Sequence, residues 1–162
     1  MTAREAAAAT VERVLRDHPD VASRRLDATT FAVVLPGTIR LAIPVTIRVG
    51  ERTTTFSSFL LRGPRPPWGD PAALHRLLLR KNLATHRLHL ALDGDDDVVL
   101  VGRLPTAALS DAEVESVLGE LLTLSESAFE SLVHLAYPGV FPPLVRAPGS
   151  NGPPADRPLT SR

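Results

Sequence analysis

The run Asp93-Gly94-Asp95-Asp96-Asp97 is the densest set of metal-binding oxygens in the chain. A calcium loop of the EF-hand type needs a glycine at its sixth place and a glutamate at its twelfth. Counted from Asp93 those places hold Val98 and Leu104, so the run fails as a calcium loop. It is predicted instead to be a solvated hairpin turn, for which Asp and Gly are suited. His86 and His89 suggest a second metal pair. On a strand, a spacing of three puts them on opposite faces, where they cannot hold one ion. A serine hydrolase needs serine, base and acid converging in space. Ser57, Ser58, Ser110 and Ser125 all lack the G-x-S-x-G elbow, and His75 and His134 fall in helical patterns, at or near helix boundaries. The carboxylate pairs Glu113/Glu115 and Glu126/Glu130 suit the polar face of a helix. Gly63 and Gly69 flank prolines and do not open a helix as a phosphate-cradling loop does. The absence of cysteine excludes disulfides, thiolate metal sites and thiol nucleophiles. No catalytic, cofactor-binding or metal-ligating residue is therefore assigned, and the chain is read as a non-enzyme without a cofactor.

What remains are side chains suited to holding another molecule. Arg62, Arg65, Arg76, Arg80 and Lys81 cluster in sequence around one predicted helix and can form a basic patch for an acidic partner. Trp68 is the single tryptophan, placed in a proline-rich connector where, exposed, it can act as an interface anchor or, folded back, it covers the sheet. Trp68, Arg62, Arg76 and Arg80 are the candidate partner-binding residues. Lys+Arg and Asp+Glu each total 18, for a formal net charge of zero. That balance argues against a general affinity for nucleic acid, which needs a field of excess positive charge. Of the cations only Lys81 is a lysine. Together with abundant Ala, Pro and Gly, this reads as the codon bias of a GC-rich genome rather than as phosphate recognition. No stretch approaches the roughly 18 apolar residues that span a bilayer, and the start of the chain lacks a signal-peptide core. The protein is expected to be cytoplasmic, without a membrane or nucleic-acid partner.

These side chains must be positioned by a core, and the 44% apolar composition of the 162 residues can build one. Thr2 and Glu5 have capping-box spacing, and Ala7, Val11, Val14 and Leu15 recur at helical intervals, predicting a helix over 3–18 that ends before Pro19. Strands are predicted at Phe31–Leu35, at Ile39–Val49 and in a run where Thr55, Ser57, Phe59 and Leu61 share a face. Pro44 places the second of these at an edge or bulge. Asp70-Pro71 reads as N-cap and first helical residue, opening a short helix that carries Leu74, Leu77, Leu78 and Lys81. Residues 86–92 and 98–104 form two further strands. Ser110 and Glu113 open the longest helix, with a stripe of Val114, Val117, Leu118, Leu121, Leu122, Phe129, Leu132 and Val133, closed by Tyr137-Pro138-Gly139. Residues 146–162, rich in proline and glycine, are predicted to be a disordered tail to a domain spanning 1–145.

The resulting order is α-β-β-β-α-β-β-α, an α+β fold. Within it, Leu77-Leu78-Leu79-Arg80-Lys81-Asn82-Leu83, Asp97-Val98-Val99-Leu100-Val101-Gly102-Arg103-Leu104-Pro105 and Val117-Leu118-Gly119 resemble the YbjN family in its actinobacterial form. Leu35-Pro36-Gly37 and Phe59-Leu60-Leu61-Arg62 are similar to earlier strand motifs of that family. The resemblance covers roughly residues 10–137. It departs from the family pattern at residues 67–70 and 137–143. It implies a type III secretion chaperone-like fold, an antiparallel sheet with helices packed on it, often dimeric. It carries no established activity, and likeness of fold does not transfer one. The expectation is a protein-binding, chaperone-like or regulatory module that engages an unidentified protein partner, as a homodimer or by strand addition at the edge left by the strand ending at Val49. The alternative is a small-ligand-binding sensor with a cavity between sheet and helices.

Overall fold

The computed structural model describes residues 1–65 and 69–140. Trp68 and the expected tail at 146–162 lie outside the described residues, as does the boundary between domain and tail.

Helix α1 (Ala3–Asp17) begins with the capping box expected: the Glu5 amide donates to Thr2 Oγ1 at 3.1 Å and the Thr2 amide to Glu5 Oε2 at 2.7 Å. Ala7, Ala8, Val11, Val14 and Leu15 are buried. Its polar side is tied to the first turn of α3 (Asp111–Ala136) by Arg13, whose guanidinium donates to both Asp111 oxygens at 2.9 and 2.5 Å. Those hydrogen bonds hold the Asp111 carboxyl below the usual carboxylate range.

Six strands form one antiparallel sheet: β1 (Ala22–Arg25), β2 (Thr30–Pro36), β3 (Ala42–Val49), β4 (Thr53–Leu61), β5 (Leu88–Leu92) and β6 (Val98–Pro105), in the spatial order β1-β2-β3-β4-β6-β5. The α+β antiparallel class expected from the sequence is the one found, with β1 and a 3₁₀ turn at Thr106–Ala108 added. β1 escapes sequence reading because Ala-Ser-Arg-Arg has no apolar alternation. All four of its residues are exposed, and it is held by backbone pairing to β2.

Three expectations about the central strands are corrected. The strand ending at Val49 is not an edge: β3 lies between β2 and β4. Its proline is tolerated because β4 pairs with β3 only over Thr46–Val49, whereas Pro44 sits in the half paired by β2 alone, opposite Val34. The strand also starts later than the alternation suggests, at Ala42, leaving Ile39 and Leu41 57% and 83% exposed. The backbone amides of Thr38 and Ile39 are taken by the Glu126 carboxylate of α3 instead of a sheet ladder. Beside them Arg40 lies over the Phe129 ring, 4.9 Å from its centroid, and donates to the Phe59 carbonyl at 3.1 Å. In β4 the inward set is Thr54, Phe56, Ser58 and Leu60, the opposite parity from Thr55, Ser57 and Phe59. A bulge between Phe59 and Leu61 then brings Leu61 inside. Phe56 is flanked by Ile47 of β3 and Gly102 of β6. The glycine leaves room there for Leu88, whose side-chain end would lie within 2.5 Å of a Cβ and would have to shift.

The loop between β2 and β3 supplies a pH-dependent anchor. Hydrogen bonds from the Ile39 and Thr38 amides hold the Glu126 carboxyl below the ordinary range. A carboxyl with a depressed folded pKa adds stability above its unfolded pKa and loses it as pH falls through the folded value. The Thr38 and Ile39 amide resonances are therefore expected to titrate together below the ordinary glutamate range, and Glu126→Ala should abolish that transition. A midpoint at the ordinary value would contradict the anchor.

The inward strand side chains and the buried faces of all three helices form one continuous core, including Phe31, Ile43, Ile47, Phe56, Leu88, Leu100, Leu121 and Leu132. The last helix carries the expected stripe with Leu118 buried, although Leu122 and Phe129 are only partly covered.

Candidate partner-binding surface

Helix α2 (Pro71–Asn82) carries two of the candidate arginines. Asp70 caps it, accepting from the Ala72 amide at 2.9 Å, and Pro71 occupies the first turn, where a missing N–H costs nothing. Leu74 and Leu78 are buried against the core. Three consecutive leucines, Leu77-Leu78-Leu79, advance about 100° each around a helix, so they cannot all point inward. Leu79 is the one turned out, and Leu83 follows one turn later. They are 70% and 88% exposed. Arg76 and Arg80 are exposed on the same stripe, at the i, i+3, i+4 and i+7 positions that share a helix face.

Among the described residues neither arginine side chain is engaged in an ion pair. The ion pairs among the described residues are Arg4–Glu51, Arg13–Asp111, His18–Glu115, Arg25–Glu12 and Arg87–Glu113. Arg80 and Lys81 stand in the last turn of α2, where a cation complements the helix dipole. Arg62 is exposed just past β4, where its carbonyl accepts from the Tyr137 hydroxyl at 2.9 Å. The candidate residues are thus only partly brought together: Arg76 and Arg80 share a stripe, Arg62 sits at the end of a strand, and Trp68 lies outside the described residues. The two exposed leucines complete the stripe and were missed, although the leucine triplet was their signal.

Asn82 ends α2 and secures the sheet beside it. Its side-chain amide donates to the Leu90 carbonyl at 2.9 Å, and its oxygen accepts from the Leu90 amide at 2.8 Å. This satisfies the outward backbone of edge strand β5 midway along its length. The other edge, β1, is four residues long and carries two arginines, devices that discourage pairing with another chain. The strand ending at Val49 therefore does not supply the edge at which strand addition was expected.

Between the α2–β5 turn and α3 lie two adjoining depressions, of about 370 and 210 Å³, which share Ala84, Thr85 and Leu124. The larger is lined also by His86, Gly119 and Glu120. Glu120 Oε2 is buried without a hydrogen-bond partner among the described residues. His86 precedes β5, in a bend, and is not on the strand as expected, while His89 Nδ1 lies 3.4 Å from Thr85 Oγ1. The acidic run is the hairpin turn expected: the Asp93 carboxylate accepts from the Asp95 and Asp97 amides at 2.9 and 3.0 Å. Ser110 caps α3, and the hydroxyls of Ser58 and Ser125 are buried in the core without partners among the described residues. None of these serines stands with a base and an acid in a hydrogen-bonded triad among the described residues.

Among solved structures, the chain resembles one in the crystal structure of the ExsC–ExsE complex, with TM-score 0.55 and 19% identity, covering 77% of this chain and 95% of that one. A second is in the structure of the HopA1–SchA chaperone–effector complex, with TM-score 0.52 and 15% identity, covering 74% and 89%. At these identities the likeness is one of fold. An uncharacterised protein of Mycobacterium tuberculosis is 29% identical over 136 residues, covering 79% of this chain and 73% of that protein. The family match, to YbjN, described as "Putative bacterial sensory transduction regulator", spans residues 7–133. That span takes in the Asn82 bracket on β5, the Gly102 contact with Leu88 and Gly119 beside the larger depression, and the chain belongs to the YbjN family.

Proposed function

We propose that this protein is a non-enzymatic, chaperone-like or regulatory module that holds a protein partner, in the cytoplasm, with the outward stripe of α2 as its contact. The observation that carries this reading is the exposure of Leu79 and Leu83 on one stripe with Arg76 and Arg80. Burying a leucine contributes about 1.5–3 kcal/mol, and an unpaired arginine beside it selects carboxylates by a bidentate hydrogen bond. The fold shared with a chain of a chaperone–effector complex supports the same direction. Among the described residues no helix is long and apolar enough to cross a membrane.

The double variant Leu79→Asp/Leu83→Asp is expected to keep the parent's thermal midpoint while retaining at least tenfold less co-purifying partner. Undiminished recovery would remove α2 from the interface. A second copy of the chain is one partner the stripe fits. Light scattering at twice 17.4 kDa that falls to the single mass in the double variant would identify it.

The small-ligand reading is favoured by one observation, the depression at Gly119 with the unpartnered Glu120 oxygen. It lies at the surface between α3 and the α2–β5 turn, not between sheet and helices. Native mass spectrometry of the purified protein distinguishes this reading by a discrete added mass.

A further inference from the structure

The face of the sheet turned away from the helices has a charge pattern that the α2 stripe does not explain. None of the six strands contains an Asp or Glu, in a chain with 18 of them. On the outward face Arg24, Arg48, Arg103 and His89 are all exposed. None forms an ion pair among the described residues. Arg48 and Arg103 flank Thr55 from either side in one row, since Arg48 pairs with Thr55 and Thr55 with Arg103. The carboxylates bordering that end, Asp27 and Glu51, are engaged by Thr29 and Arg4.

Next to this row the face turns apolar. Val101 lies beside Ser57, and Phe59, Val99 and Ala91 form the row beyond. Phe59 is 41% exposed, large for an aromatic on a sheet. Strands two apart are separated by roughly 10 Å, about the width of a helix with its side chains. Arg48 and Arg103 are thus spaced to meet carboxylates on both flanks of one helix.

We propose that this outer sheet face docks an amphipathic helix of a partner protein, with its apolar stripe on Phe59, Val99 and Val101 and its acidic flanks on Arg48 and Arg103. The surface is distinct from α2, so the inference goes beyond the function proposed above and does not rest on it. A single-stranded nucleic acid would stack on several aromatics, and this face has one.

The test is a titration of isotope-labelled protein, followed by amide resonances, with a synthetic 18-residue helix carrying a leucine stripe flanked by glutamates. Shifts are expected at β3, β4 and β6, and the same peptide with lysines for glutamates should not bind. Arg48→Glu/Arg103→Glu should weaken binding at least tenfold, while Arg76→Glu/Arg80→Glu on α2 should leave it unchanged. Shifts centred on α2, equal loss in both charge-reversed variants, equal binding of the lysine peptide, or binding of an oligothymidylate in place of the acidic helix would each overturn the proposal.

Discussion

Phe56→Ala is expected to lower the unfolding free energy by about 3–5 kcal/mol, whereas Phe59→Ala, three residues along the same strand, should cost less than about 1 kcal/mol. Phe56 is fully buried and Phe59 is 41% exposed. The large cost has two parts, the lost transfer of the ring and the void left between Ile47 and Gly102. Domain stabilities are about 5–15 kcal/mol, so the Phe56 variant should be close to unfolding and Phe59→Ala should fold normally. Denaturant unfolding of the pair decides the phase of β4. Equal costs, or the reverse order, would turn the strand over and with it the outer face on which Arg48, Phe59 and Arg103 are placed.

Gly69→Ala should also destabilise the fold, and its effect should fall on α2. Gly69 has φ +60° and lies against the Ala136 and Leu135 carbonyls at the end of α3. An alanine there adopts the left-handed conformation at about 1–2 kcal/mol and also drives its Cβ into the Ala136 carbonyl, which is backbone and cannot rotate away. The combined cost is expected to exceed about 2 kcal/mol. It should appear as faster hydrogen exchange in α2, which this contact positions, more than in α1 or β3. Unchanged protection in α2 would show that the connector does not anchor the helix.

Much of this architecture was legible because its determinants are local. Thr2 with Glu5, Asp70 with Pro71, and Ser110 each satisfy amides within four residues, so the helix starts could be read directly. What resisted reading depends on neighbours distant in sequence. β1 has no buried apolar side chain to announce it, and only its pairing with β2 makes it a strand. β4 offers two large apolar side chains on each parity, Phe56 and Leu60 against Phe59 and Leu61. The choice is made by β3, by the gap over Gly102 and by the bulge at Phe59/Leu61. Pro44 signalled a strand without full pairing, but not that the gap lies in the middle of the sheet. At the surface, Arg76 and Arg80 were legible as cations. That no carboxylate among the described residues pairs with them is a property of the fold. Asn82 stood in the sequence only as part of a family motif, and its grip on Leu90 is the physical reason for an amide side chain at that place.

The outward stripe of α2 is expected to touch another protein. A photo-reactive phenylalanine analogue placed at Leu79, with the same group at the exposed Arg16 on α1 as control, tests it inside cells. The stripe predicts a discrete covalent protein adduct from position 79 on illumination, lost when Leu83→Asp is added, and none from position 16. Absence of any protein adduct from position 79, or the same adducts from both positions, would contradict it.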